Sequence, residues 1–214
     1  MTPQPDAPAA PAKVFCIGLN KTGTTSIGAA LEGLGYRMGH QHHGENLLPF
    51  WLRRNFAPIV QFARSADAFQ DIPFSLPFTY MALHAAFPAA HFVLTRRDST
   101  AQWLASVLDF AALGLARLPT AEEMRAERYA YPGFLHDAQI GTVPGTSDAD
   151  PWNRQALCDF YESHNAMVQA YFRGSDRLLV LNPAQPDAYD RLCRFLGRAP
   201  AAAGMPHLNA TPRD

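Results

Sequence analysis

Apolar residues in this chain fall into short runs, separated by longer stretches with a helical period. Lys13 to Leu19, KVFCIGL, is a brief apolar run of the length of a strand buried on both faces. From Thr24 to Leu34 the apolar positions Ile27, Ala30, Leu31 and Leu34 recur at helical spacing, and Gly35 supplies a stop. Tyr36 to Met38 reads as a short second strand, followed by a polar, histidine-rich loop at 40–46. Asn46 to Ser65 has a helical pattern that Pro58 is expected to kink or split. Ala66 to Gln70 reads as a third strand ending at Asp71-Ile72-Pro73, and Leu76 to Phe87 as a helix stopped by Pro88. His91 to Thr95 is a fourth strand, and a helix follows from about Ser99 to Arg117, capped by Asp98 or Ser99. Trp152 to Phe172 is amphipathic, with Trp152, Ala156, Phe160, Met167 and Tyr171 marking the apolar stripe. Arg177 to Leu181 is a fifth strand, and Pro186 to Leu196 a final helix.

Strands alternating with helices over short connections call for an α/β fold. The expectation is three layers, α/β/α, around a mostly parallel, roughly five-stranded sheet. Residues 118–151 interrupt the rhythm with four prolines, three glycines and no long apolar period, and are expected to form an inserted lid or substrate segment. Met1 to Ala12 is Pro/Ala-rich, with neither a positive n-region nor an apolar h-region; residues 1–12 are read as a disordered leader and 13–214 as one domain. The 214 residues suffice for a full core. A net charge of −1 leaves no global basic field, so no nucleic-acid partner is expected. No apolar stretch approaches the ~18 residues of a membrane span, so no membrane partner is expected either. Cys16, Cys158 and Cys193 are scattered and form no CxxC pair, which points to a reducing compartment, the cytoplasm.

Ligands of such folds bind at the carboxyl ends of the strands, and chemistry is concentrated there. After the first strand comes Gly18-Leu-Asn20-Lys21-Thr22-Gly23-Thr24-Thr25-Ser26, a glycine loop opening a helix. Backbone N–H groups and the positive helix end suit an anion, Gly23 permits close approach, and Lys21 adds a charge. Lys21 stands out because only Lys13 and Lys21 are lysines, against sixteen arginines. Gly18 and Gly23 have the spacing of the nucleotide loop GxxxxGK[ST], but Thr24 occupies the lysine position. A Mg²⁺-dependent ATP kinase or NTPase is therefore the alternative reading, together with a non-catalytic nucleotide-binding relative. After the fourth strand come Arg96-Arg97-Asp98, a helix carrying Trp103, and Ser106. A guanidinium grips phosphate through paired N–H donors.

The segment Phe15-Cys-Ile-Gly-Leu-Asn-Lys21-Thr-Gly23-Thr24-Thr25-Ser26 resembles the 5′-phosphosulfate loop of the PAPS-dependent sulfotransferase family, whose core is K-[ST]-G-T-T; PAPS is 3′-phosphoadenosine 5′-phosphosulfate. His91 to Ser106 resembles the family's strand–R-D–x–W–x–S segment, which matches Arg97 and Ser106 to the groups that hold the donor's 3′-phosphate. The nine residues from Arg97 to Ser106 exceed the family's usual eight, and both Arg96 and Arg97 stay open. Phe69-Gln-Asp71-Ile-Pro73, Tyr161-Glu-Ser-His164-Asn165, Leu192 to Gly197 and Pro206-His207-Leu-Asn209 are similar to further segments of a bacterial and eukaryotic subgroup. The resemblance implies a P-loop NTPase-like fold and sulfuryl transfer from PAPS to a hydroxyl or amine of a small-molecule or carbohydrate acceptor. It implies 3′,5′-ADP as product and no metal. Donor contacts fall on Asn20, Lys21, Thr22, Gly23, Thr24, Thr25, Ser26, Arg97 and Ser106.

Lys21 suits the leaving phosphate, and the acceptor's proton needs a base. Asp71 at a strand end is the first candidate, with a turn or cap role as the plainer reading. His40 and His42 come next, with His43 and Glu45 beside them; the same stretch also reads as an exposed polar loop, and it holds too few spaced ligands for zinc. Tyr129, Tyr131, Phe134 and His136 are expected to line the acceptor pocket.

Overall fold

The computed structural model describes residues 12–206; all of the expected leader but Ala12, and His207 and Asn209, lie outside them. Four parallel strands make the sheet: β1 (Val14–Cys16), β2 (Ala68–Phe69), β3 (His91–Thr95) and β4 (Leu178–Leu181), in the order β2-β1-β3-β4. Phe15 sits opposite both Phe69 and Phe92, and Val93 opposite Leu179. The strand expected at 36–38 shrinks to one parallel bridge between Met38 and Ala68, so among the described residues the sheet has four strands rather than roughly five. The reason is local. Gly39 turns the chain across the ring of Phe69, so close that a Cβ there would lie 2.2 Å from Phe69 Cδ1.

Alternation along β1 divides the interior in two. Phe15 and Ile17 point to one face, where Phe69, Phe74, Leu83, Phe92 and Phe172 close around them. Val14 and Cys16 point to the other, with Ile27, Leu31, Val93, Tyr189 and Leu192. Both faces are buried, which is why β1 and β3 read as continuous apolar runs. Helices α1 (Thr24–Gly33) and α10 (Ala188–Leu196) cover the second face. The first is covered by α3 (Leu48–Leu52), α4 (Ala57–Phe62), α5 (Thr79–Ala86) and the C-terminal half of α9 (Arg154–Tyr171). The result is the expected three-layer α/β/α arrangement.

Several local expectations change. The stretch expected as a polar loop at 40–46 contains the short helix α2 (Gln41–Glu45), capped by His40, whose Nδ1 accepts from His43 N. Pro58 does not kink a helix. It lies in the first turn of α4, where its missing N–H leaves no intrahelical bond unmade, and the break comes before it, at 53–56. Helix α6 (Thr100–Ala111) ends six residues before Arg117, and its cap is Ser99, which accepts from Gln102 N at 3.1 Å.

The buried face of α9 consists of Leu157, Tyr161, His164, Asn165 and Val168, not of the stripe read from the sequence. Polar residues on the inner face hid the true period. Phe160 and Met167 instead flank a groove of about 500 Å³ with Trp51, Arg54 and Phe78. Residues 118–151 fold against the body as α7 (Ala121–Ala126), α8 (Phe134–His136) and a π turn (Asp137–Gly141). Phe134 enters the first core, and Val143 packs with Leu19, Trp103 and Tyr161.

The strand order places the ligand crevice. From β1 the chain moves to β2 on one side, then crosses to β3 on the other. The carboxyl ends of β1 and β3 therefore border the topological switch point, where ligands of open α/β sheets bind.

Candidate functional site

The loop after β1 is built on close contact with β3. A Cβ on Gly18 would lie 2.0 Å from Thr95 Oγ1, 2.5 Å from Thr95 O and 2.6 Å from Thr95 N, so only glycine fits. Thr22 is fully buried, and its hydroxyl bonds Leu19 O and Thr95 Oγ1, each at 2.5 Å. That hydroxyl pins the loop from beneath instead of facing a ligand. Lys21 (φ 68) and Gly23 (φ 93) both take left-handed backbone, which coils the loop into the start of α1. No side chain caps α1, so its first amides and its positive end face the crevice. Thr24 and Ser26 are mostly buried and Thr25 half-buried in that first turn.

Arg97 follows β3 and reaches back to this loop. Its Nε donates to Lys21 O at 2.7 Å, and its backbone N–H donates to Tyr161 Oη at 2.9 Å. Arg96 behaves differently. Its N–H continues the ladder to Leu181 O, while its Nε is buried and makes no hydrogen bond. Asp98 accepts from Asn182 and Gln185, tying the β3 end to the loop after β4.

Trp103, stacked on Tyr161 with ring centres 4.5 Å apart, donates from Nε1 to Asn20 O at 2.9 Å. At 3% exposure it is packing and leaves no face for an adenine ring. Further along α6, the Phe110 ring lies 3.7 Å from Lys21 Nζ. Residues 103, 106 and 110 lie on one helix face, so half-buried Ser106 sits between two residues that touch the loop. Lys21 is thus partly wrapped. Burial, and then Arg97, push its pKa below the usual lysine value, while Asp71 pulls it back up.

Asp71 ends the turn after β2, in left-handed backbone (φ 67), with Oδ1 accepting from Ile72 N at 2.8 Å. It also shares a side-chain hydrogen bond with Asn20. Burial raises its pKa to about 6, with Glu45 adding to the rise and Asn20 and Lys21 opposing it. A carboxylate poised there changes protonation near neutrality.

His40 and His42 are both exposed. His40 is committed to the α2 cap and stacks on His43, and His42 lies 3.7 Å from Glu45. Among the described residues, no group of three or more His, Cys, Asp or Glu side chains is arranged to hold a metal ion. Of the four residues expected around the acceptor, Tyr129 alone reaches this corner, with its Oη 3.5 Å from Glu45 Oε1. Tyr131 bonds Asp137, His136 bonds Asp148, and Phe134 is in the core.

A sequence model described as a sulfotransferase domain matches residues 13–213. The chain belongs to the sulfotransferase domain family. Its general chemistry is therefore sulfuryl transfer, on an α/β fold. No curated protein matches the chain. No helix among the described residues is long and apolar enough to cross a membrane.

In this sulfotransferase-family chain the candidate site also contains residues that sequence reasoning missed. Ser75 holds Asn20 Oδ1 at 3.1 Å, and Gln41 and Gln70 join Asp71 to Glu45. His164 is fully buried under the site, with Nε2–H donating to Ile17 O at 2.8 Å, and burial lowers its pKa to about 4. The uncharged imidazole holds the end of β1 in place. Tyr161 and His164, three residues apart on α9, carried the only sequence signal for this support.

Proposed function

We propose that this sulfotransferase takes its sulfuryl group from PAPS and passes it to a hydroxyl or amine of a small-molecule or carbohydrate acceptor. The observation that carries the reading is the 2.7 Å bond from Arg97 Nε to Lys21 O. It ties the Arg97 guanidinium to the anion loop at the switch point, so two cationic side chains are held near each other for a nucleotide that carries two phosphate groups. The residues fit such a donor: uncapped α1 amides and Lys21 for the 5′ end, Arg97 and Ser106 for the 3′ end. When bound, PAPS supplies an activated sulfuryl group on a phosphate leaving group. Lys21 stabilises the charge that develops at that phosphate. Asp71, beside Asn20 and Lys21, accepts the acceptor's proton, which requires it to be ionised. His40 and His42 border the acceptor side rather than acting as the base. The three free cysteines fit a reducing compartment, and we place the activity in the cytoplasm.

Calorimetry with 3′,5′-ADP tests the donor assignment, with Mg²⁺·ATP as comparator. Micromolar binding of 3′,5′-ADP without metal is expected. A folded chain that ignores 3′,5′-ADP at millimolar concentration, or prefers Mg²⁺·ATP, defeats the proposal.

A further inference from the structure

Asp71 does not face the crevice alone. Gln41 Nε2 donates to Glu45 Oε1 at 3.0 Å and to Asp71 Oδ2 at 3.4 Å, so one amide group spans two carboxylates. Gln70 Nε2 donates to Gln41 Oε1 at 2.8 Å, which turns the amide of Gln41 with its NH₂ end toward the acids. Tyr129 reaches the same Glu45 oxygen from the 118–151 segment. Glu45 is only 4% exposed, and its Oε2 makes no hydrogen bond; His42 Nδ1, at 3.7 Å, stands across from it. Buried in this way, Glu45 has no route to an acceptor except through its neighbours.

We infer that Glu45 is a positioning residue for Asp71: through the shared Gln41 amide it holds the second carboxyl in place at the crevice. The inference rests on the reading of Asp71 as the base. The groups around Asp71 are Lys21 and Asn20 from the first loop, Cys16 at the end of β1, Glu45 and His42 from α2, and Tyr129. Burial and Glu45 disfavour the ionised form, while the Ile72 N–H, Asn20 and Lys21 favour it. Removing the Glu45 charge therefore moves the titration downward.

The test uses the full chain with ¹³C in the aspartate side-chain carboxyls. The Asp71 resonance is the one missing from Asp71→Asn. In the unmodified chain its midpoint is expected near 6. Glu45→Gln is expected to lower it by about 0.5–1 unit, and Glu45→Asp to restore most of the difference. A midpoint unmoved in Glu45→Gln overturns the inference. Should Glu45→Gln fail to fold, Gln41→Ala, at an exposed position, removes the amide shared by the two carboxylates and leaves both of them in place. The Asp71 midpoint is then expected to rise, and an unmoved midpoint overturns the coupling. Calorimetry with 3′,5′-ADP on the same samples separates the two readings. A chain that binds no nucleotide but shows the shift keeps the Glu45–Asp71 coupling and loses the donor assignment; the reverse result keeps the donor and loses the coupling.

Discussion

Asp71→Asn is expected to make the protein more stable while abolishing most of its transfer. In the folded chain Asp71 binds its proton at about 6, against an ordinary value of 3.8, so folding takes up a proton between those limits. Stability therefore falls as pH rises through that window and stays lowered above it. A shift of about two units corresponds to about 3 kcal/mol. The side chain is partly open to solvent, and screening there reduces the effect to about 1–2 kcal/mol. Asparagine removes the charge, keeps an oxygen for the Ile72 N–H, and tolerates the left-handed backbone at φ 67. Urea unfolding at pH 8 should show the variant more stable by about 1–2 kcal/mol, with the gap closing toward pH 4. Comparing the two proteins at each pH cancels the opposite trend from His164. Transfer should fall by about 10²–10⁴-fold through loss of the base. A variant less stable than the parent at pH 8, or a gap that does not change with pH, refutes the reasoning.

Three further outcomes follow from the same geometry. Gly18→Ala should cost about 2–3 kcal/mol in thermal unfolding. Thr95→Ala should not rescue it, because two of the three atoms in the way are Thr95 backbone; recovery in the double variant would contradict that contact. Arg97→Lys should lose at least about tenfold in 3′,5′-ADP affinity, since an ammonium cannot bond Lys21 O and still present a fork. Unchanged affinity by calorimetry would remove Arg97 from the site. His164→Phe should cost about 1–3 kcal/mol by leaving the buried Ile17 O unpaired. Because His164 stays uncharged down to about 4, the parent loses its advantage over this variant on acidification from about 6.5; denaturation curves with a constant gap would count against that role.

Most of the architecture was legible because the central strands are buried on both faces and leave unbroken apolar runs such as 91–95. The edge was not. Two residues of β2 and one bridge at Met38 carry too little pattern to separate a strand from a turn. The loop at 18–26 was readable because glycine and lysine at fixed offsets have a local purpose. The remainder of the site comes from pairs far apart in sequence. Gln41 meets Gln70, Asn20 meets Ser75, and Arg97 meets the Lys21 carbonyl, and none of these pairs leaves a spacing signature. On α9 the mismatch has a chemical cause: His164 and Asn165 are polar yet buried, while Phe160 and Met167 are apolar yet line an open groove.

The bond between Arg97 and the Lys21 carbonyl makes the crevice a caliper with one rigid jaw setting. Its two grips cannot drift apart independently, so under the proposed donor assignment a nucleotide spanning them would be measured for length as well as for charge. Adenosine bearing a single phosphate would engage one jaw and leave the other wet. Selection between nucleotides would then draw on span as well as on charge.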